Sequence, residues 1–137
     1  MAAVRGAAPR TRLIVDANEA LDIDTLNRLA PDFARLDVKM IEQPLPAGND
    51  AALIEYRGVV PLCADESLHS RAELDACAHL YHAVNIKLDK SGGLTEALAL
   101  REAARARGLM IMAGCIAVAT SKSRKRPRMC GRIASRS

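Results

Sequence analysis

The chain has 137 residues, half of them apolar, which is enough for at most one domain with a modest core. No apolar run approaches the ~18 residues of a membrane span, and no apolar stretch follows the small, basic opening "MAAVRGAAPRTR", so a cytoplasmic location is expected. The net charge of +4 is uneven: residues 121–137 carry seven basic side chains and no acid, and without them 13 basic face 16 acidic side chains, a net of −3.

In chain order, "MAAVRGAAPR" reads as the end of a helix and "RLIVD" (12–16) as the first strand. "DIDTLNRLAPDFARL" has apolar residues at helical spacing, with Asp22 or Asp24 as the cap and a second short helix beginning at Pro31. "VKMIE" (38–42) and "VVPLCAD" (59–65) are the next strands. "SRAELDACAHLY" opens a helix with Ser70 and Glu73 at capping-box spacing. "VNIK" (84–87) is the fourth strand, and Gly92–Gly93 reads as a tight turn rather than a phosphate cradle. "TEALALREAARARG" is rich in helix formers and stops at Gly108, before the last strand, "GLMIMAG" (108–114).

These strands are continuous apolar runs rather than alternating ones, which suits a parallel sheet covered on both faces. Parallel strands need crossovers, and the helical stretches supply them. The fold class is therefore α/β. A strand–helix period of about 24 residues points to a βα-barrel or a doubly wound sheet. A closed barrel of eight such units takes ~250 residues, and with about five units the chain reads as a partial (βα)8 TIM-type barrel. Residues 1–120 form the barrel part, and 121–137 read as a disordered or out-of-frame basic tail.

Four strands end in a charge: Asp16, Glu42, Asp65 and Lys87, at intervals of 26, 23 and 22 residues. Any one is ordinary, because strand ends meet solvent. Four in succession, acid-acid-acid-base, at one interval per βα unit, point to one shared site at the C-terminal edge of the sheet. Three gathered carboxylates repel one another, and a divalent cation resolves this. No His or Cys ends these strands, so magnesium suits better than zinc. Beside such a site Lys87 is expected to have a lowered pKa and to remove a proton α to a metal-bound carboxylate.

Other features carry less. Cys63, Cys77, Cys115 and Cys130 are scattered, without metal-finger spacing. His79 and His82 lack a third ligand and read as surface residues. Three aromatic residues (Phe33, Tyr56, Tyr81) are too few for base stacking, so nucleic acid is not an expected partner despite "KSRKRPR".

The local words "IVDANEAL", "IEQPLP", "LCADES" and "NIKLDKSGGLTEAL" resemble, in that order, the muconate-lactonizing-enzyme-like branch of the enolase superfamily, and within it the dipeptide epimerases of the L-Ala-D/L-Glu type. The resemblance spans about residues 2 to 119 and implies the strands three to seven of that barrel. It implies Asp16, Glu42 and Asp65 as Mg2+ ligands, and Lys87 as an acid/base catalyst working through an enediolate on a dipeptide substrate. Asn18 is implied as a supporting partner and Gly114–Cys115 as substrate contacts, while Lys90 reads as a loop or helix-start residue. The o-succinylbenzoate synthases and cycloisomerases of the same superfamily share the ligands and are an alternative. A non-catalytic remnant acting as an interaction partner is another.

Family members also carry a capping domain, a Lys-x-Lys pair on the second barrel strand and an Asp-x-Asp motif on the eighth, none of which these 137 residues contain. Epimerisation exchanges protons on both faces of a carbon, and one lysine serves one face. The chain alone is expected to bind magnesium weakly and not to epimerise at a useful rate. Its open sheet edges are expected to favour an oligomer or a complementing fragment.

Overall fold

Alternating apolar runs and amphipathic stretches fold as their patterns dictate. The computed structural model describes residues 1–88 and 90–114, so Cys115 and the basic tail at 121–137 lie outside the described residues. A short helix α1 (Ala2–Ala7) leads to β1 (Leu13–Asp16), α2 (Ile23–Arg35) and β2 (Val38–Glu42). Then come β3 (Leu62–Ala64), α3 (Leu74–Leu80), β4 (Ala83–Lys87), α4 (Leu94–Ala106) and β5 (Met110–Gly114), with 3-10 segments at Asp50–Glu55 and Arg71–Glu73. The strands lie in chain order and every neighbouring pair is parallel. This is the expected partial barrel of TIM type.

β3 and β4 are covered on both faces, whereas Met110 and Ala113 of β5 are exposed. On one face Leu13, Ile41, Leu62, Val84 and Ile86 pack with Leu26 and Phe33 of α2, Leu74 of α3 and Leu100 of α4. On the other, Met40, Cys63, Ala83 and Met112 form a smaller cluster with Ile14 against it. Successive side chains of a strand point to opposite faces, so this second face is also the one that carries Glu42, two residues after Met40, and Asn85 and Lys87, two and four after Ala83.

The helices take their ends from local chemistry. Asp22, not Asp24, caps α2, its carboxylate accepting from the Thr25 amide at 2.7 Å. Pro31 does not begin a second helix; it lies inside α2, which continues to Arg35. Proline removes one internal hydrogen bond, but burial of Phe33 just beyond it holds the last turn to the core. α4 ends in a Schellman motif: Leu109 N–H donates to Ala104 O, Gly108 N–H to Arg105 O, and Gly108 takes φ +77°. No helix among the described residues is long and apolar enough to cross a membrane.

Glu73 folds back on the preceding loop, where its Oε2 accepts from the amides of His69 at 2.6 Å and Ser70 at 3.0 Å. The His69 amide foremost, then that of Ser70, holds its carboxyl below the usual value. Glu73→Ala is expected to cost about 1 kcal/mol at neutral pH, as loss of a helix cap does. The sign with pH follows from the lowered pKa: the contribution is present above the unfolded value and disappears as pH falls through the folded one. Urea unfolding of both proteins at pH 7 and pH 3 checks this, with the gap closing at the lower pH.

Candidate active site

The charged strand ends meet at one edge of the sheet. β1, β2 and β4 end at Asp16, Glu42 and Lys87, and Asp65 lies one residue past β3. Asp16 is the register partner of Glu42, and Lys87 that of Gly114. Asp16 is exposed, and its Oδ1 accepts from the Asn18 backbone amide at 2.9 Å. Asn18 makes that turn with φ +45°, a conformation asparagine tolerates well. It therefore supports Asp16 through its main chain.

The next two acids are buried. Glu42 accepts one hydrogen bond from the Asn85 amide nitrogen at 2.6 Å. Asp65, with its side chain 4% exposed, is paired with two ammonium groups, those of Lys87 and of Lys90, the latter at 3.0 Å. Lys90 also lies 3.5 Å from Glu66, whose Oε2 is buried without a partner among the described residues. Lys90 does sit in the turn after β4, but its side chain belongs to the site. Among the described residues no three His, Cys, Asp or Glu side chains lie close enough together to hold a metal ion.

Burial raises the Glu42 carboxyl to about 7; Asp16 and Asp65 add to the rise, and the Asn85 hydrogen bond and Lys87 oppose it. At Asp65 burial acts in the same raising sense but is outweighed by Lys87 and Lys90, and the carboxyl is held below its usual value. Lys87 departs from the sequence expectation. Its burial would lower the pKa, yet pairing with Asp65, helped by Glu42 and Glu66, raises it. With Asp65 as its partner the ammonium form is favoured.

Two buried amides organise these ends. Gln43, fully buried and at φ +34°, follows Glu42 directly. Its Oε1 accepts from the amides of Asp65 at 2.9 Å and Ser67 at 3.2 Å. The two hydrogens of its Nε2 are shared among Leu45 O at 2.9 Å, Ser67 Oγ at 2.8 Å and the Tyr81 hydroxyl at 3.2 Å. The Asp50 carboxylate in turn accepts from the Ser67 and Tyr81 hydroxyls. Asn85, the second amide, lies beside Gly114, where an added Cβ would come 2.7 Å from its Oδ1. Neither amide was singled out by the sequence reading. Asn85 had a visible signal, because a residue two before Lys87 on a strand shares its face; Gln43 had none, since all its side-chain partners but Leu45 lie 22 to 38 residues away. A separate cleft of about 460 Å3, lined in part by Asp50, Ser67, His69, Cys77 and Tyr81, does not include Asp16, Glu42 or Lys87. His79 and His82 are both exposed.

Comparison with known proteins converges on one group. The family described as enolase C-terminal domain-like matches residues 1–124. The L-Ala-D/L-Glu epimerase of Escherichia coli K12 is 53% identical over 116 residues, 85% of this chain and 36% of the relative. The N-acetyl-D-glutamate racemase of a Pseudoalteromonas species is 47% identical, over 85% of this chain and 37% of the relative. Among solved structures, an enolase family member from Agrobacterium tumefaciens with homology to dipeptide epimerases, bound to sodium and L-Ala-L-Glu, superposes with a TM-score of 0.81. It is 49% identical and the match covers 84% of this chain and 35% of that one. The chain thus spans about a third of the length of the relatives it matches.

Proposed function

The chain belongs to the enolase C-terminal domain-like family, and from that premise we propose that it is the part of a magnesium-dependent dipeptide epimerase that carries three metal ligands and one of two proton-transfer groups. The observation that carries this reading is the set Asp16, Glu42, Asp65 and Lys87 at one edge of a parallel sheet, in a chain 53% identical to an L-Ala-D/L-Glu epimerase. Residues 1–120 are the barrel portion, acting in the cytoplasm on a small dipeptide.

The chemistry of the donor set suits a divalent cation, although among the described residues Asp16, Glu42 and Asp65 are not drawn closely enough together to hold one. Glu42 is pushed toward neutrality by burial and by its two acidic neighbours, and Asp65 already draws two ammonium groups, which stand in for a positive ion. Asp16, Glu42 and Asp65 would hold magnesium, which would stabilise negative charge developing on a substrate carboxylate. Lys87 removes the proton from the adjacent carbon and returns it to the same face. Lys90 keeps a countercharge on Asp65 when Lys87 turns to the substrate. Nothing among these side chains serves the opposite face, so exchange without epimerisation is the activity this chain can support.

Proton NMR in deuterated buffer with Mg2+ tests it. Deuterium should enter the glutamate α-position of one of L-Ala-L-Glu and L-Ala-D-Glu and leave the other inert. Rapid interconversion of the two dipeptides by the 137-residue chain would overturn the one-faced assignment, and exchange of neither would reduce the chain to a non-catalytic remnant. The 47% identity to N-acetyl-D-glutamate racemase favours a second reading, in which the exchanging substrate is an N-acylated glutamate. N-acetylglutamate run beside the dipeptides separates the two.

A further inference from the structure

A buried asparagine held only for structure would use both halves of its amide, because an unpaired polar atom in the interior is costly. Asn85 does not. It is 4% exposed, its Nδ2 donates to Glu42 Oε1 at 2.6 Å, and its Oδ1 is buried without a partner among the described residues. Among the described residues no other group hydrogen-bonds the Glu42 carboxylate. The two residues sit on β4 and β2, with β3 between them, so the contact crosses the sheet on the face that carries Lys87.

Two facts make this arrangement specific. The amide presents its nitrogen to Glu42, the orientation in which the carboxylate accepts. And the amide leans over β5 into the space a side chain at 114 would fill: a Cβ there would lie 2.7 Å from Oδ1 and 2.8 Å from Nδ2. The φ of Gly114 does not call for glycine, so its missing side chain is explained by this contact.

We infer that Asn85 is the positioning residue of Glu42, fixing its carboxylate by one donated hydrogen bond, and that Gly114 is glycine to leave room for that amide. The inference deepens the magnesium-site reading and rests on it for the consequence in metal binding, but the contact itself is independent of any metal.

Mn2+ alone is the probe, with the free ion followed by electron paramagnetic resonance. Asn85→Leu keeps the branched heavy-atom skeleton and removes the donor; it should weaken Mn2+ binding by about tenfold or more, the usual effect of losing a hydrogen bond to a ligand. Gly114→Ala should weaken it in the same sense, and the double variant should bind no more weakly than Asn85→Leu, because both act through one contact. Val84→Ala, a core truncation on the opposite face of β4, should leave Mn2+ affinity unchanged. Wild-type affinity in Asn85→Leu, or an equal loss in Val84→Ala, overturns the inference. A second readout needs no metal: the Asn85 side-chain amide signal, assigned by its loss in Asn85→Leu, should shift and exchange faster in Glu42→Gln. If it does not respond, Asn85 does not hold Glu42. If the wild-type chain takes up no Mn2+, the magnesium reading fails and the amide signal alone decides the role of Asn85.

Discussion

Methionine in place of Lys87 is expected to lower α-proton exchange by about 10²- to 10⁴-fold, the usual worth of a positioned acid/base group. The side chain stays unbranched, one atom shorter, and loses the amine that takes the proton. The ion pair with Asp65 confounds this, because removing one partner of a buried pair is itself destabilising. Two features separate the effects. Asp65 retains Lys90 at 3.0 Å, so its charge is not stranded, and unfolding by urea should show a loss well below the about 3–5 kcal/mol of a stranded charge. Lys87→Arg supplies the sharper control: guanidinium pairs with Asp65 but does not deprotonate at accessible pH. Arginine should therefore restore stability and leave exchange as low as methionine does. Exchange at the wild-type rate in Lys87→Arg would remove Lys87 from the chemistry. The raised pKa of Lys87 adds a sign: exchange should increase with pH as the amine is freed. Its ion pair, being that of a group raised on folding, stabilises the chain at lower pH and is lost as pH climbs through the folded value.

The second large effect lies at Gln43, which no metal or substrate contact would suggest. Gln43→Leu is nearly the same size but removes the acceptor for the amides of Asp65 and Ser67 and the donor to Leu45, Ser67 and Tyr81. Each buried group left without a partner costs about 1–3 kcal/mol, so a loss of about 3 kcal/mol or more is expected, read as a lowered urea midpoint with an unchanged slope. The same change should weaken Mn2+ binding, because the Asp65 amide loses the bond that ties the end of β3 to that of β2. A loss below about 1 kcal/mol would mean that water replaces the glutamine, and the network would then carry no weight.

Much of this architecture was legible in order along the chain. "VKMIE" announces a strand buried on two faces, and it packs Ile41 into one cluster and Met40 into the other. The interval of 22 to 26 residues between Asp16, Glu42, Asp65 and Lys87 announces parallel strands whose ends coincide. Pro31 misled, because a local rule about proline was outweighed by burial of Phe33 two residues on. Lys90 was read as a turn residue, which it is, while its ammonium reaches an acid 25 residues back.

Hydrophobic period, helix caps and the order of charges are properties of neighbours in sequence, and they determined the elements, their parallel sense and the side of the sheet on which the acids and Lys87 gather. Which charge meets which partner was decided only in three dimensions. The pairing of Asp65 with two lysines, the reversal in the pKa of Lys87, and the amides of Gln43 and Asn85 all join residues 22 to 43 positions apart. Electrostatic and hydrogen-bond energies depend on separations of a few ångströms and on burial, and neither quantity exists until the strands are laid side by side.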